Sequence, residues 1–349
     1  MNSFQAKFLS GLEIPVGTSW LLGTCMEARG KQDLWLQTKA ETLQALRELA
    51  IIQSAESSNR IEGVTVDKER LMPLLAERTA PRDRSEEEVF GYRRALDWIH
   101  AKHSSISIDA DTICHLHYLS QSGFSGDAGD WKKRNNEIIE LLPNGTRVVR
   151  FVPVSPENTP EAMQQLCLGY RHVTEQQLLP DLLAVASFVL DFLCIHPFRD
   201  GNGRVSRLLT LLLLCQHNYL VGSFVSLERI IEVTKEGYYQ ALKDSSKNWH
   251  EGNHEVSYFW NYFLGVVRDA YGELAERVKV REGQSRGKSE LLKQVILSQR
   301  DTFSLADIKS QVETSSPQLI KKVFAELKNS GLLELSGQGR GARWKVRRS

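Results

Sequence analysis

A twelve-residue segment of the chain, HPFRDGNGRVSR at residues 196–207, places polar residues between two strongly apolar stretches. Arg204 and Arg207 are three residues apart, which puts them on one face if a helix begins here. Arginine side chains and the free N–H groups of a helix N-terminus both bind phosphate oxygens. The two glycines of the segment let the backbone approach a ligand closely. The segment therefore predicts a site for a phosphorylated ligand.

Two further residues of this segment have metal or acid–base chemistry. The carboxylate of Asp200 would be repelled by bound phosphate unless a cation lies between them, and Mg²⁺ is a cation that shares carboxylate and phosphate ligands. Histidine has a pKa near neutrality, so His196 is suited to accept a proton from an attacking hydroxyl group. Together with the anion site, these residues predict the transfer of a group from a Mg²⁺-bound nucleotide.

The order and spacing of these residues resemble the signature of Fic-domain proteins, His-Pro-Phe-x-Asp/Glu-Gly-Asn-Gly-Arg-x-x-Arg, at every defined position. The resemblance implies a protein adenylyltransferase, a nucleotidyltransferase that moves AMP from ATP to a Ser, Thr or Tyr hydroxyl of a target protein and releases pyrophosphate. It implies that His196 is the base, that Asp200 holds Mg²⁺ and that Arg207 receives the γ-phosphate. The implied ATP site comprises Glu62, Gly201, Asn202, Gly203, Arg204, Val205, Ser206, Arg207 and Tyr239.

A second segment, SSNRIEG at residues 57–63, has a glutamate at the C-terminal end of a predicted helix. The helix dipole disfavours an anion there by about 0.3 to 1 kcal/mol, so Glu62 should have a cationic partner. The segment resembles the inhibitory pattern Ser/Thr-x-x-x-Glu-Gly/Asn of the same family, with Ser58, Glu62 and Gly63 at the defined positions. This implies a class II protein in which Glu62 pairs with Arg207 and keeps the γ-phosphate from its productive place. Removal of AMP from a modified protein is the alternative activity that this glutamate leaves open.

Hydrophobic periodicity predicts a mainly α-helical protein. One amphipathic helix is predicted over residues 31–60, ending before Gly63, with further helices at 86–103 and around 113–119. The stretches before and after the 196–207 segment are apolar on all faces. They should therefore be two central helices of a bundle.

Residues 131–153 have a different pattern, in which two β-branched runs flank an Asn-Gly turn and predict a β-hairpin. A lone two-stranded hairpin is marginally stable, so it must lie on the helices or hold a ligand. The resemblance implies that it is the flap of a Fic fold, which aligns a segment of an unidentified target protein by strand addition. Lys132 stands where many relatives have arginine. Tyr239 resembles an aromatic residue of the adenine pocket, with core packing as its alternative role.

Composition and the resemblance together divide the chain into four parts. They are an N-terminal helical region at 1–100 with the inhibitory motif at 58–63, a Fic catalytic core at 101–276, a polar linker at 277–288 and a winged-helix domain at 289–349. The winged helix is predicted from two short helices followed by two strands with a Gly-rich basic turn. The second helix has Ser316 as its N-cap and ends at Gly331.

The C-terminal part is basic. Residues 286–349 contain 13 Lys and Arg against 6 Asp and Glu, a net charge of +7 in a chain whose total is +1. This charge is compatible with DNA binding by the winged helix, and protein docking, a homodimer contact or a plain solvated face are its alternatives. A nucleotide-sensing regulator that binds DNA is thus the alternative to an enzyme. His196 favours the enzyme because a sensor needs no base.

The apolar runs, the N-terminal residues and the cysteines indicate in which cellular compartment the protein is expected. The longest apolar run, at 208–215, is well short of the ~20 residues that span a bilayer, so no membrane partner is expected. The N-terminal residues have no export or organelle signal. The cysteines are scattered without CxxC spacing, which argues against a disulfide framework and a zinc site. We therefore expect a cytoplasmic protein. The five cysteines are Cys25, Cys114, Cys167, Cys194 and Cys215.

Overall fold

The computed structural model describes residues 2–37, 40–121, 126–141, 145–282, 287–299, 301–312, 317–336 and 343–347. These residues form a mainly helical protein with two separate β-hairpins, as predicted. The helices are α1 (Ala6–Ser10), α2 (Val16–Leu36), α3 (Ala40–Ile61), α4 (Lys68–Leu75), α5 (Arg84–Lys102), α6 (Ala110–Gln121), α7 (Thr159–Glu175), α8 (Asp181–Ile195), α9 (Asn202–Gln216), α10 (Leu227–Val233), α11 (Lys235–Ser245), α12 (Ser257–Glu282), α13 (Gly287–Leu297), α14 (Leu305–Gln311) and α15 (Pro317–Asn329). The strands are β1 (Ile138–Leu141), β2 (Arg147–Phe151), β3 (Leu333–Ser336) and β4 (Arg343–Val346).

The centre of the bundle is the antiparallel pair α8 and α9. Every residue of α8 from Leu182 to Ile195 is buried, and α9 is buried along nearly its whole length. Helices α7 and α12 pack on α8, while α5 and α6 pack on α9. The prediction of two central helices is confirmed, and the polar segment between them lies at one end of the bundle.

Two boundaries differ from those expected. The helix predicted over 31–60 is two helices, because α2 ends at Leu36 and α3 begins at Ala40. Helix α2 packs on α12, whereas α3 packs on α5 and α10, and no glycine or proline marks the change in the sequence. The linker expected from residue 277 is helical as far as Glu282. Arg277 anchors this part of α12 by donating a hydrogen bond to the carbonyl of Phe224 at 3.1 Å.

The first hairpin lies against α11 and the residues that follow it. Strands β1 and β2 pair antiparallel, with a bulge between Ile138 and Ile139. The Glu140 carboxylate forms an ion pair with Lys243 of α11 at 2.8 Å, and the ring of Phe151 stacks on that of His250 at 5.2 Å. These contacts supply the support that a two-stranded hairpin needs. Residues 142–144 of the expected Asn-Gly turn lie outside the described residues.

The C-terminal residues form three helices followed by the hairpin of β3 and β4. Phe303 pairs with Trp344 of β4 through two backbone hydrogen bonds, and Trp344 packs edge-on against Phe324 of α15 at 5.1 Å. This order of elements is the one expected for a winged helix, an assignment that stays a prediction. The expected N-cap Ser316 and residues 337–342 of the basic turn lie outside the described residues.

A buried acidic residue joins the N-terminus to the central helix. Asp191 of α8 is fully buried and accepts hydrogen bonds from the backbone N–H of Ser3 at 3.1 Å, from its hydroxyl at 2.6 Å and from the indole N–H of Trp249 at 2.6 Å. A buried carboxylate requires such donors because desolvation is costly. The first residues of the chain are thereby part of the core.

We predict that Asp191→Ala lowers the free energy of unfolding by about 3 kcal/mol, because three buried donors lose their acceptor. Urea denaturation of the full chain measures the change. The matched control is Asp33→Ala, which removes an exposed aspartate of α2 and should change stability by less than about 0.5 kcal/mol. Equal stability of the two variants would contradict the proposed anchoring.

Candidate functional site

The loop between the central helices is held in a sharp reversal of the chain. His196 caps α8 in the left-handed conformation with a φ of 51°, and Gly201 begins α9 with a φ of 78°. Asn202 joins the two sides of the loop, because its amide oxygen accepts from the N–H of Phe198 at 2.9 Å and its amide nitrogen donates to the Phe198 carbonyl at 2.8 Å. The side chain of Asn202 thus stabilises the loop.

A histidine that sequence reasoning missed supports the same loop. The His117 ring of α6 stacks on Phe198 with ring centroids 3.8 Å apart. Its Nδ1 accepts from the N–H of Gly129 at 2.9 Å, so its Nε2 is protonated and donates to the carbonyl of Asp200 at 3.1 Å. Burial lowers the pKa of His117 to about 4, which keeps the ring neutral. Nothing in the spacing of the sequence signals this contact.

Two residues that precede β1, Lys132 and Asn136, make hydrogen bonds to the end of α8 and to the loop. The ammonium of Lys132 donates to the Asn136 amide oxygen at 2.8 Å and to the carbonyl of Ile195 at 3.1 Å. The amide nitrogen of Asn136 donates to the carbonyl of Phe198 at 3.1 Å. Burial lowers the pKa of Lys132 to about 8. The lysine that stands where many relatives have arginine thus binds the end of α8, next to the loop.

His196 presents one unprotonated nitrogen to a cavity. Its Nδ1 lies 3.2 Å from the carbonyl of Leu193, which can only accept, so Nδ1 carries the proton and Nε2 is an acceptor. Burial, helped by the nearby charge of Lys132, lowers the pKa of His196 to about 4. At neutral pH the ring is therefore uncharged and can take a proton.

Several expected site residues meet at this cavity, which encloses about 610 Å³ including its open mouth. Its wall contains both charged and apolar side chains. The lining residues are Glu62, His196, Gly203, Arg207 and Tyr239, together with Ile138, Arg150, Phe151, Leu190, Leu193, Cys194, Tyr238, Leu242 and Ser246.

The cavity wall contains the expected pair of Glu62 and Arg207, in which a guanidinium nitrogen and a carboxylate oxygen lie 2.8 Å apart. Ser58 also binds the guanidinium: its hydroxyl accepts from Nε at 2.8 Å, and its carbonyl accepts from Nη2 at 2.9 Å. The Nη1 of Arg207 is buried and has no hydrogen-bond partner among the described residues.

Two glycines allow this arrangement. A Cβ atom at Gly203 would lie 2.2 Å from the carboxylate oxygen of Glu62, so any side chain there would displace the glutamate. Gly63 follows α3 with a φ of 81°, a conformation that favours glycine. The close approach of α3 to the start of α9 therefore depends on both positions.

Five expected ATP-site residues are not in the cavity wall, namely Gly201, Asn202, Arg204, Val205 and Ser206. Arg204 is buried and forms an ion pair with Glu88 of α5 and a hydrogen bond to Asn59 at 3.3 Å, so it does not share a ligand face with Arg207 as the spacing suggested. The two arginine side chains diverge because Arg204 pairs with Glu88 and Arg207 pairs with Glu62. The Val205 side chain is in the core, and the Ser206 hydroxyl donates to the backbone of α9. Their part in ATP binding stays a prediction.

Asp200 has an exposed carboxylate, which is what a Mg²⁺ ion shared with a nucleotide would need from the protein. Its side chain is 54% exposed, and its oxygens accept from Arg84 at 2.8 Å and from the N–H of Gly201 at 2.7 Å. The described residues contain no group of three or more His, Cys, Asp or Glu that could hold a metal by themselves. Mg²⁺ bound with a nucleotide needs only one or two carboxylates, because phosphate and water supply the other ligands.

Comparison with known proteins bears on the family. A profile of the Fic/DOC family matches residues 107–214, which contain α6, the first hairpin, α8 and the 196–207 segment. Residues 107–214 of this chain are thus similar to Fic domains. Protein adenylyltransferase fic-1 of Caenorhabditis elegans is 29% identical over 142 residues, which cover 39% of this chain and 25% of that relative. The chain thus spans about a quarter of the length of this curated relative.

Solved structures show the same fold. A Fic family protein from Desulfovibrio desulfuricans is 19% identical, with a TM-score of 0.61, and covers 96% of this chain and 97% of its own. A Fic domain containing signaling protein from Bacteroides thetaiotaomicron is 21% identical, with a TM-score of 0.63 over 75% of this chain and 98% of its own. In the part of the chain that the structure describes, no helix has the length and apolar character to cross a membrane.

We predict that His196 stays neutral from pH 8 to pH 5. The ring pKa of about 4 lies below the ordinary 6.5, so the unfolded chain binds this proton more readily and acid destabilises the fold. The measurement is NMR of the ring protons, with the His196→Gln spectrum identifying the resonance. A titration midpoint near 6.5 would show that the ring is solvated rather than enclosed.

Proposed function

We propose that the protein is a protein adenylyltransferase, which moves AMP from ATP to a hydroxyl group of a target protein. The observation that carries the proposal is that one cavity is lined both by His196, whose Nε2 is an acceptor, and by Arg207, which binds the Glu62 carboxylate there. A base and an anion site in one cavity are what transfer from a nucleotide requires. The similarity of part of the chain to an adenylyltransferase supports the choice of AMP.

In the proposed reaction, the hydroxyl oxygen of the target attacks the α-phosphorus of ATP. The hydroxyl proton passes to Nε2 of His196, the bond from the α-phosphorus to the oxygen bridging to the β-phosphate breaks, and pyrophosphate leaves. The N-terminus of α9 would stabilise the phosphate charge through its backbone N–H groups. Tyr239, at the rim of the cavity, would flank the adenine.

Asp200 is the residue that would hold Mg²⁺, and the ion would neutralise phosphate charge during transfer. Its carboxylate is exposed beside the start of α9, and its ion pair with Arg84 is a partly exposed contact that costs little to exchange. Arg84 also pairs with Glu88 at 2.7 Å, so it keeps a partner after such an exchange.

We propose further that Glu62 inhibits the transfer. The carboxylate occupies Arg207, the residue expected to receive the γ-phosphate, and it lies at the C-terminal end of α3, where the helix dipole disfavours it. Ser58 makes two hydrogen bonds to Arg207 that do not involve Glu62. Removal of the carboxylate would therefore leave the guanidinium oriented and available to phosphate.

We predict that Glu62→Gly raises self-AMPylation by about tenfold or more, since a charge-assisted hydrogen bond that competes with phosphate is lost. Mass spectrometry of the intact protein after incubation with ATP and Mg²⁺ measures the added adenylate. Glu48→Gly, at an exposed position of the same helix, is the control for helix weakening and should leave the rate unchanged.

Adding His196→Ala to Glu62→Gly should lower the rate by about 10²-fold or more, the usual contribution of a general base. A folded Glu62→Gly variant with the wild-type rate would contradict the inhibitory role. The modified product also tests the alternative activity: wild-type protein that removes its adenylate would identify a hydrolase, in which the partly exposed Glu62 carboxylate positions water.

DNA binding by the C-terminal residues stays a prediction. Lys321, Lys322 and Lys328 are exposed on α15, while Ile320, Val323, Phe324 and Leu327 of the same helix are buried. An amphipathic helix with an exposed basic face is compatible with a nucleic acid or with a protein partner.

A further inference from the structure

The C-terminal end of α3, which carries the inhibitory motif, has all four of its last carbonyl groups hydrogen-bonded. A helix supplies no backbone donors of its own for these groups. The two in the middle accept from backbone N–H groups of the turn that follows, at 2.9 to 3.1 Å. The carbonyl of Ser58 accepts from Arg207 at 2.9 Å. The carbonyl of Ile61 accepts from the ammonium of Lys235 at 2.6 Å, so two cationic side chains complete this helix end.

Lys235 is the first residue of α11 and is partly buried between α3 and the cavity. Its ammonium lies 5.7 Å from the centroid of the Tyr239 ring, one turn further along α11. Tyr239 lines the cavity, whereas Lys235 lies outside the cavity wall. Lys235 therefore contacts the residue immediately before Glu62 without facing the site proposed for the nucleotide.

A second contact joins α3 to the same region of the fold. The guanidinium of Arg60 forms an ion pair with Glu232, near the end of α10, at 3.0 Å. Arg60 also pairs with Glu56, one turn earlier in α3, at 2.8 Å. The Ile61 carbonyl, in contrast, has Lys235 as its single donor among the described residues. Lys235 is thus the contact whose loss leaves a group of this helix end without a partner.

The charge of Lys235 favours the inhibitory arrangement. Glu62 follows the last residue of α3, where the helix dipole disfavours a carboxylate. A cation that donates to the last carbonyl of the same helix opposes this effect. Without Lys235, the last turn of α3 would open more often and would carry Glu62 away from Arg207.

We propose that Lys235 is a positioning residue, which holds Glu62 on Arg207 by fixing the end of α3. This inference rests on the proposed inhibition by Glu62 and deepens it, since it names a residue outside the inhibitory motif that keeps the carboxylate in place. The motif at residues 58–63 gives no sign of this contact, because Lys235 lies 174 residues from Ile61 in the chain.

The test measures the opening of the helix end and the rate of AMP transfer in the same full-length variants. With Lys235→Met, we expect the amides of residues 62–64 to exchange with deuterium about fivefold faster, the upper value for loss of a cation at a helix C-terminus. Mass spectrometry of peptides that span these residues measures the exchange. The rate of self-AMPylation should rise by about fivefold as well. Lys235→Arg keeps the cation and the donor, so it should retain wild-type exchange and rate.

A double variant separates positioning from contact with the substrate. In the Glu62→Gly background, Lys235→Met should leave the transfer rate within about twofold, since no carboxylate remains to be positioned. A larger fall in that background would show that Lys235 acts on the nucleotide or on folding, and would overturn the proposal. Unchanged exchange at residues 62–64 in the single variant would overturn it too.

Lys247→Met, which removes an exposed lysine just beyond α11, is the matched control and should keep the wild-type exchange and rate. Exchange of the buried helix α8 reports on the whole fold and should be unchanged in every variant. Lys235→Ala is the second variant if Lys235→Met is unstable, and the same results are expected from it.

Exchange and transfer separate this inference from the proposed function. Faster exchange in Lys235→Met that is absent from Lys235→Arg, without AMP transfer even by Glu62→Gly, would support positioning by Lys235 and refute the transferase. Transfer that rises in Glu62→Gly but stays at the wild-type rate in Lys235→Met would support the transferase and refute the positioning role.

Discussion

The polar loop between α8 and α9 has to satisfy its hydrogen bonds at the end of two helices that are buried almost completely. Asn202 bridges the two sides of the loop. His117 of α6 and Asn136, which precedes β1, make hydrogen bonds to the loop from outside. A loop tied at so many points keeps the His196 ring in one orientation. Rigid support of this kind is what a site on a loop needs.

Two arginines of α9 pair with acids from different parts of the fold, one inside the bundle and one at the cavity. Glu88 of α5 pairs with Arg204 inside the bundle, and Glu62, the residue after α3, pairs with Arg207 at the cavity. A buried arginine that lost its acid would be strongly destabilising, so the first pair has a structural role. The second pair is partly open, because a third of the Glu62 side chain is exposed. Exchange of a carboxylate for a phosphate is therefore feasible only at Arg207.

The charges around the cavity favour an anionic ligand and a neutral base together. Lys132 and Arg150 both lower the pKa of His196, in addition to the effect of burial. The same cations would attract a nucleotide, whose binding would in turn make protonation of the ring easier. In the proposed reaction, a histidine that is a weak base in the free protein would thus become a better proton acceptor once phosphates are bound.

The sequence alone determined the helical fold, the two central helices and the residues of the polar loop, because apolar periodicity and a short motif are local properties. The position of Glu62 at a helix end indicated that it needs a cationic partner, and the resemblance to the inhibitory pattern implied that this partner is Arg207. Tertiary structure decided the rest. The support by His117, the burial of Arg204 and the place of Arg150 in the cavity depend on which helices and strands pack together, and no spacing along the chain encodes a contact between elements 50 or more residues apart.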